Sequence, residues 1–157
     1  MPDIDATDAR ILLALRDDAR LSGVELAQKL GLSRNTIQSR LARLEAGDML
    51  GPSDRRVLLR ALGYPLTAFV TARADQHRLV EIESALAEIP EVLEVHGIAG
   101  GNDIMIRIVS RDADDLYRIT GAILASPGIE RTEISLSMRE MVPYRSAPLL
   151  RRRVTRG

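Results

Sequence analysis

Apolar residues in the first third of the chain recur at helical spacing in three separate stretches. The first covers residues 6–16, the second begins after Ser22, and the third begins after Ser33 and ends before Gly47. Ser22-Gly-Val-Glu25 has the S-x-x-E pattern of a capping box, and Asp5-Ala-Thr-Asp8 resembles an acidic variant of it. With Ser33 as a further N-cap, each stretch has a marked helix start. Two short helices joined by a tight turn are typical of a helix-turn-helix, which places its second helix in a DNA major groove.

The rest of the chain alternates between strand and helix patterns. The order is β-α-β-β-α-β, which is the ferredoxin-like split arrangement. We therefore predict an α+β protein whose second half has two helices on one face of a four-stranded antiparallel sheet. The other face is then solvated, paired with another subunit or used for binding. The predicted strands are 66–72, 92–98, 104–109 and 129–138, and the predicted helices are 78–89 and 112–124.

These patterns divide the chain into four parts. Residues 1–50 form a helix-turn-helix domain, and 51–64 are a linker that contains the Gly51-Pro52 turn signal and a short strand at 57–59. Residues 65–144 form the βαββαβ domain. The remaining segment, 145–157, is rich in arginine, and we expect it to be a disordered tail.

Composition excludes several classes of function. The chain has no cysteine, so disulfides and thiolate metal sites are absent, and its two histidines, His77 and His96, are too isolated to suggest a metal site. No apolar run approaches the roughly 18–20 residues that span a bilayer. No nucleophile–base pair or phosphate loop is evident. We expect a cytoplasmic protein that is not an enzyme and needs no metal or cofactor.

Charge is distributed unevenly although the formal net charge is zero. Residues 29–60 carry seven basic side chains against three acidic ones, whereas residues 61–140 carry seven arginines against thirteen acids. After Met141 there are five arginines and no acid. A basic zone that coincides with the helix-turn-helix agrees with binding to double-stranded DNA.

The third helix separates into a buried stripe and a polar face. At about 100° per residue, Ile37, Leu41 and Leu44 fall on one side. The first eleven positions, 33–43, contain three arginines and no acid, whereas an ordinary solvated helix usually mixes both signs. Side chains suited to base edges lie opposite the stripe, and those suited to phosphates lie at its borders and at the helix start. We assign Asn35, Gln38, Ser39 and Arg43 to bases, and Arg34, Thr36 and Arg40 to the DNA backbone.

Four segments resemble the Lrp/AsnC, or feast/famine, family of transcription regulators. They are Ile4-Asp-Ala-Thr-Asp8, residues 20–27, Gly100-Gly-Asn-Asp103 and residues 127–132, and the resemblance extends from residue 3 to about 144. It implies a winged helix-turn-helix domain joined to an ACT-like βαββαβ sensing domain. It also implies dimers that pair through these sheets, further assembly commonly to octamers, and amino acids bound between dimers.

The chain departs from the family pattern at two places. The family usually has Gly-x-Ile-x-x-Tyr after the third helix, which is the recognition helix that reads DNA. Here the segment is Gly47-Asp-Met-Leu-Gly-Pro52. The arginine-rich tail beyond Tyr144 is not part of the shared pattern.

The Gly100–Asp103 turn is the candidate effector site. Gly100 and Gly101 allow close backbone approach and expose amide N–H groups to a carboxylate, while Asn102 and Asp103 offer polar groups to an ammonium. The same four residues also make a good hairpin turn. Hydroxyls of the last strand complete the predicted site, namely Thr132, Ser135 and Ser137.

The sequence therefore predicts a sequence-specific transcription regulator whose DNA affinity or assembly responds to a small effector, an amino acid, and which forms a homodimer or an octamer. Two alternatives stay open. One is an architectural protein that wraps DNA with little sequence preference. The other, from a different class, is an amino-acid-sensing regulatory subunit of an enzyme, which leaves the arginines of the third helix without a role.

Overall fold

The structure, a computed structural model, describes residues 4–46, 50 and 57–156, excluding the side chain of Arg156. It separates into two compact units. The first unit combines residues 1–55 with 142–157, and the second comprises residues 56–141. The helices and strands in chain order are α1 (Ala6–Asp17), α2 (Gly23–Leu30), α3 (Arg34–Ala46), β1 (Leu66–Ala74), α4 (Leu79–Ala87), β2 (Val92–Gly97), β3 (Ile104–Ser110), α5 (Ala113–Leu124), β4 (Ile129–Leu136) and α6 (Ala147–Arg156).

The three N-terminal helices begin at the predicted caps. Asp5 and Asp8 form a reciprocal capping box at α1, and Ser22 and Glu25 form another at α2. The Ser33 hydroxyl accepts a 3.0 Å hydrogen bond from the Thr36 N–H at the start of α3. The helices bury one apolar core between them. Its buried members are Ile11, Ala14, Leu26, Ala27 and Ile37.

Residues 147–156 form helix α6, which packs against α1, so the expected disorder of the 145–157 tail is wrong for these ten residues. Ala147 is buried, and Leu150 and Val154, one and two turns later, are partly buried. This spacing gives α6 an apolar face. The Ser146 carbonyl accepts hydrogen bonds from the Leu149 and Leu150 N–H groups at the helix start. Composition indicated disorder because arginines are numerous, but the helical period decides the outcome.

The second unit is the predicted βαββαβ arrangement. Its antiparallel sheet has the strand order β2-β3-β1-β4. Alternate residues of β1 and β3 are buried with residues of both helices, so α4 and α5 cover the same face of the sheet. This core contains Ala68, Val70, Ala72, Ala74, Ile82, Leu86, Ile104, Ile106, Ile108, Ile119 and Ile123. The opposite, open face carries the other β1 and β3 side chains.

Two local expectations differ from the structure. A register shift between Val92 and Glu94 puts Val92 against the core and Glu94 on the open face, although strict alternation predicts one face for both. Residues 59–62 form a 3₁₀ turn rather than part of a strand. The Gly47 stop, the Gly51-Pro52 turn and the wing lie outside the described residues.

Candidate DNA-binding and effector sites

The first turns of α3 present three polar side chains that form no bond with any of the described residues. Arg34, Asn35 and Gln38 are exposed, and the structure gives their side chains no hydrogen bond or ion pair with any residue it describes. Thr36 is partly buried, and its hydroxyl lies 2.8 Å from that of Ser33. The exposed Ser39 donates a 3.1 Å hydrogen bond to the Thr36 carbonyl. The available hydrogen-bonding groups are therefore concentrated at the helix N-terminus.

The two later arginines of α3 are bound to carboxylates of α1. Arg40 Nη1 contacts Asp5 and lies 3.1 Å from Asp8 Oδ1, while Arg43 Nη2 contacts Asp8 Oδ2. The Asp8 side chain is fully buried, whereas 29% of the Arg40 side chain and 44% of the Arg43 side chain remain exposed. The helical positions of these arginines predicted that both are available to DNA. In the structure, each forms an ion pair within the first unit.

Asp5 and Asp8 are the functional residues that sequence reasoning missed. The Arg40 guanidinium, helped by the Asp8 backbone N–H, lowers the pKa of Asp5 to about 2. Hydrogen bonds to the side chains of Asp5 and Asp8 raise the pKa of Arg40. One signal was present. The capping box at α1 has aspartate at both ends, and each carboxylate has lone pairs left after the cap is formed.

The Gly100–Asp103 turn is anchored to β1 by its own polar residues. Asp103 Oδ2 accepts a 2.9 Å hydrogen bond from the Ala74 N–H, and Oδ1 accepts one of 2.7 Å from Gln76 Nε2. The Asn102 amide donates to the Thr71 hydroxyl at 3.1 Å. Both residues that were expected to face an effector thus hold the turn in place.

The glycines of this turn differ from each other. Gly100 has φ +144°, in the region that favours glycine, so its identity follows from the backbone. Gly101 has no such constraint, and a Cβ built on it meets no atom within 4 Å. The described part of the chain therefore does not require glycine at position 101, and the space beside it is open.

The three hydroxyls of the last strand do not form one cluster with the turn. Thr132 is opposite Ala72, and Ser135 is opposite Phe69, so these two point to different faces of the sheet. The Ser137 N–H bonds to the Thr67 carbonyl, farther along the same strand pair. At about 3.3 Å per residue, Ser135 is roughly 10 Å and Ser137 roughly 17 Å from Thr132.

The open face of the sheet carries both apolar and charged groups. Phe69 lies in its centre with 37% of its surface exposed. Beside it, Arg107 Nη1 is 3.4 Å from Glu94 Oε1, and His96 Nε2 is 3.6 Å from Glu94 Oε2. The Arg107 Nε atom is buried, and no residue in the described part of the chain accepts a hydrogen bond from it.

The described residues contain neither a candidate metal site nor a helix that could span a membrane. Within them, no three or more histidine or acidic side chains are grouped as metal ligands would be. None of the helices that the structure describes is both long and apolar enough to cross a membrane.

Comparison with known proteins identifies both units. The model of the AsnC-type helix-turn-helix domain matches residues 4–45, and that of the Lrp/AsnC ligand binding domain matches residues 67–147. The chain is 33% identical over 150 residues to the proline dehydrogenase transcriptional activator of Rhodobacter capsulatus, covering 93% of this chain and 97% of that one. It is 31% identical to the regulator AldR of Mycolicibacterium smegmatis, covering 85% and 81%.

Solved structures of related regulators have the same fold as this chain. AsnC of E. coli superposes with a TM-score of 0.85 at 25% identity, covering 94% of this chain and all of that one. A feast or famine regulatory protein from M. tuberculosis, in complex with L-methionine, gives a TM-score of 0.82 at 26% identity, covering 92% and 98%. With its helix-turn-helix and ligand-binding domains both matched, the chain belongs to the Lrp/AsnC family of DNA-binding transcriptional regulators and is not an enzyme.

Proposed function

We propose that this regulator recognises a specific DNA sequence through the first two turns of α3, in the cytoplasm where its DNA target lies. The observation that carries this proposal is the set of exposed, unused side chains at Arg34, Asn35 and Gln38. Asparagine and glutamine pair with adenine, and arginine pairs with guanine or phosphate. Ser39 lies on the same exposed face and adds a further polar contact.

In this proposal the other three assigned residues orient the helix. Thr36 fixes the helix start through Ser33. Arg40 and Arg43 are held by Asp5 and Asp8, and their exposed edges reach phosphate oxygens rather than bases. The assignment of Arg43 thus moves from base reading to the DNA backbone.

The test compares a promoter fragment bound by the wild type with a duplex of random sequence. Replacement of Asn35 or Gln38 by Ala should weaken promoter binding about tenfold or more and leave random-sequence binding nearly unchanged, because a good base contact is worth about 1–3 kcal/mol. Gln28→Ala on the exposed side of α2 is the matched control. Equal losses on both duplexes would favour the architectural alternative.

We further propose that the effector is an amino acid bound beside the Gly100–Asp103 turn. Support comes from the open space at Gly101 and from the M. tuberculosis relative in complex with L-methionine. Backbone N–H groups near Gly101 suit the ligand carboxylate. Asp103 has lone pairs left for the ammonium, Asn102 is its neighbour in the chain, and Thr132 lies across β1, opposite Ala72. Ser135 and Ser137 belong to this site only if a second subunit brings them near.

Calorimetry with the twenty amino acids, methionine first, tests this site. Gly101→Leu should abolish the binding of the active amino acid and leave thermal stability unchanged, since the space it fills is empty. Gly121→Leu, at another open glycine on α5, is the control. Unchanged affinity in Gly101→Leu would exclude this turn as the effector site.

The open face of the sheet supports a proposed homodimer, the unit from which an octamer is built. A half-exposed Phe69 flanked by Glu94 and Arg107 combines an apolar centre with charged borders, as interfaces do. Phe69→Asp should convert the dimer to a monomer in sedimentation experiments. Tyr117→Asp, at a residue that is 83% exposed on α5, should leave it a dimer.

A further inference from the structure

Helix α6 is a fixed part of the DNA-binding unit rather than an appendage. Its apolar face packs on α1, and Ala147 at its start retains 1% of its accessible surface. Leu150 and Val154 continue that face. Because α1 also holds α3 through Asp5 and Asp8, α6 and the recognition helix are attached to the same element.

The charge of the DNA-binding unit depends on this C-terminal segment. Residues 1–55 contain nine acidic and eight basic side chains, a net charge of −1. Residues 142–157 add five arginines and no acid, which brings the unit to +4. Without the segment, a unit that binds a polyanion would be slightly acidic.

The recognition helix supplies little of the uncompensated charge. Arg40 and Arg43 already share the carboxylates of Asp5 and Asp8. On α6, by contrast, Arg151 and Arg152 are exposed, and neither forms an ion pair with any residue in the described part of the chain. Free guanidinium groups on a rigid support suit phosphate oxygens.

We propose that α6 is a second DNA-contacting element, in which Arg151 and Arg152 bind backbone phosphates outside the base pairs read by α3. The contact adds affinity for any sequence and no discrimination between sequences. The inference goes beyond the proposed reading of bases by α3 and does not depend on which residues of α3 make it.

The salt dependence of binding distinguishes this contact from base reading. In Arg151→Gln/Arg152→Gln, affinity should fall by the same factor for a wild-type promoter fragment and for a random-sequence duplex. The slope of log K against log salt concentration should become shallower by about 2 for each bound subunit, roughly 1 for each arginine. Arg151→Lys/Arg152→Lys keeps the charge and should restore most of the slope.

A matched pair in the second unit controls for overall charge. Arg73→Gln/Arg139→Gln removes two exposed arginines from the sensing unit and should leave the slope unchanged. Melting temperatures of both double variants should equal that of the wild type, because the replaced side chains are exposed. An α3 variant such as Gln38→Ala should show the opposite behaviour, a loss of specificity at constant slope.

Three results would overturn the proposal. An unchanged slope in the α6 variant would mean that α6 only supports α1. An equal change in the Arg73/Arg139 control would mean that general charge is responsible. A shift in sedimentation behaviour without a change in slope would assign the α6 arginines to contacts between copies of the chain.

Discussion

The recognition helix α3 and the Gly100–Asp103 turn are both held in place by bonds of their own charged residues. They differ in how many polar side chains remain available to bind a partner. In α3, Arg40 and Arg43 are bound to carboxylates at the start of α1. Asn35 and Gln38, on the same helix, have exposed side chains that bond to none of the residues the structure describes. In the turn, Asp103 is bound to β1. Of the hydroxyls predicted to complete the site, Thr132 and Ser135 lie on different faces of the sheet, and Ser137 lies farther along the chain.

The difference follows from backbone geometry. A helix returns side chains to one face every three to four residues, so losing two candidates leaves neighbours that serve the same surface. A strand alternates faces at every residue and extends about 3.3 Å per step, so candidates separate quickly. A site on a single helix is therefore readable from sequence, whereas a site on a sheet edge is not.

The largest effect is expected at Asp8, the buried carboxylate behind the recognition helix. Asp8→Ala should lower the free energy of unfolding of the DNA-binding unit by about 3 kcal/mol, because two guanidiniums lose a buried partner. Urea denaturation followed by circular dichroism measures this. Asp17→Ala, at the exposed end of α1, is the control, and an equal loss there would contradict a special role for Asp8.

A smaller loss is expected at Asp103, the corresponding anchor in the sensing unit. Asp103→Ala should destabilise that unit by about 2 kcal/mol, since it removes acceptors for the Ala74 N–H and for Gln76. Glu83→Ala on exposed α4 should be neutral. Full stability of Asp103→Ala together with lost effector binding would instead make Asp103 a pure ligand contact.

The two glycines of the turn should respond differently to a single methyl group. Gly100→Ala should cost about 1 kcal/mol of stability because its φ of +144° is strained for alanine. Gly101→Ala should change stability by less than about 0.5 kcal/mol, as exposed substitutions usually do. Thermal melts of both variants test this. A greater loss at Gly101 would contradict the open space assigned to it.

The smallest effect is a change in the free energy of unfolding at acidic pH, caused by Asp5. Because the pKa of Asp5 is lowered in the folded protein to about 2, its contribution is fully present above about pH 4 and is lost as the pH falls towards 2. The half-exposed carboxylate limits that contribution to less than about 1 kcal/mol. The difference in unfolding free energy between wild type and Asp5→Asn should vanish over this interval.

The partner of Asp5 provides the cross-check on that titration. Arg40→Gln should remove most of the same pH dependence, since the Arg40 hydrogen bond is the largest cause of the lowered pKa. An undiminished dependence in this variant would assign it to other carboxyl groups.

Most of the fold was predictable because its signals are local. The capping residues Asp5, Ser22 and Ser33 mark three observed helix starts, and the alternating pattern of β3 matches the burial of Ile104, Ile106 and Ile108. The failures have two causes. The bulge at Leu93 depends on how β2 fits against β3, which no local period encodes. Helix α6 was judged by its arginine content, although Ala147, Leu150 and Val154 have helical spacing.

The sequence by itself determined the order and type of the elements, the α+β class, and the polar face of α3, because each follows from spacing between neighbouring residues. Only the tertiary structure decided which charges are free. Asp8 meets Arg43 across 35 positions of chain, and Asp103 meets the Ala74 N–H across 29. Such partners are fixed by the packing of helices and strands, so a residue's chemistry is visible in the sequence, but its availability is not.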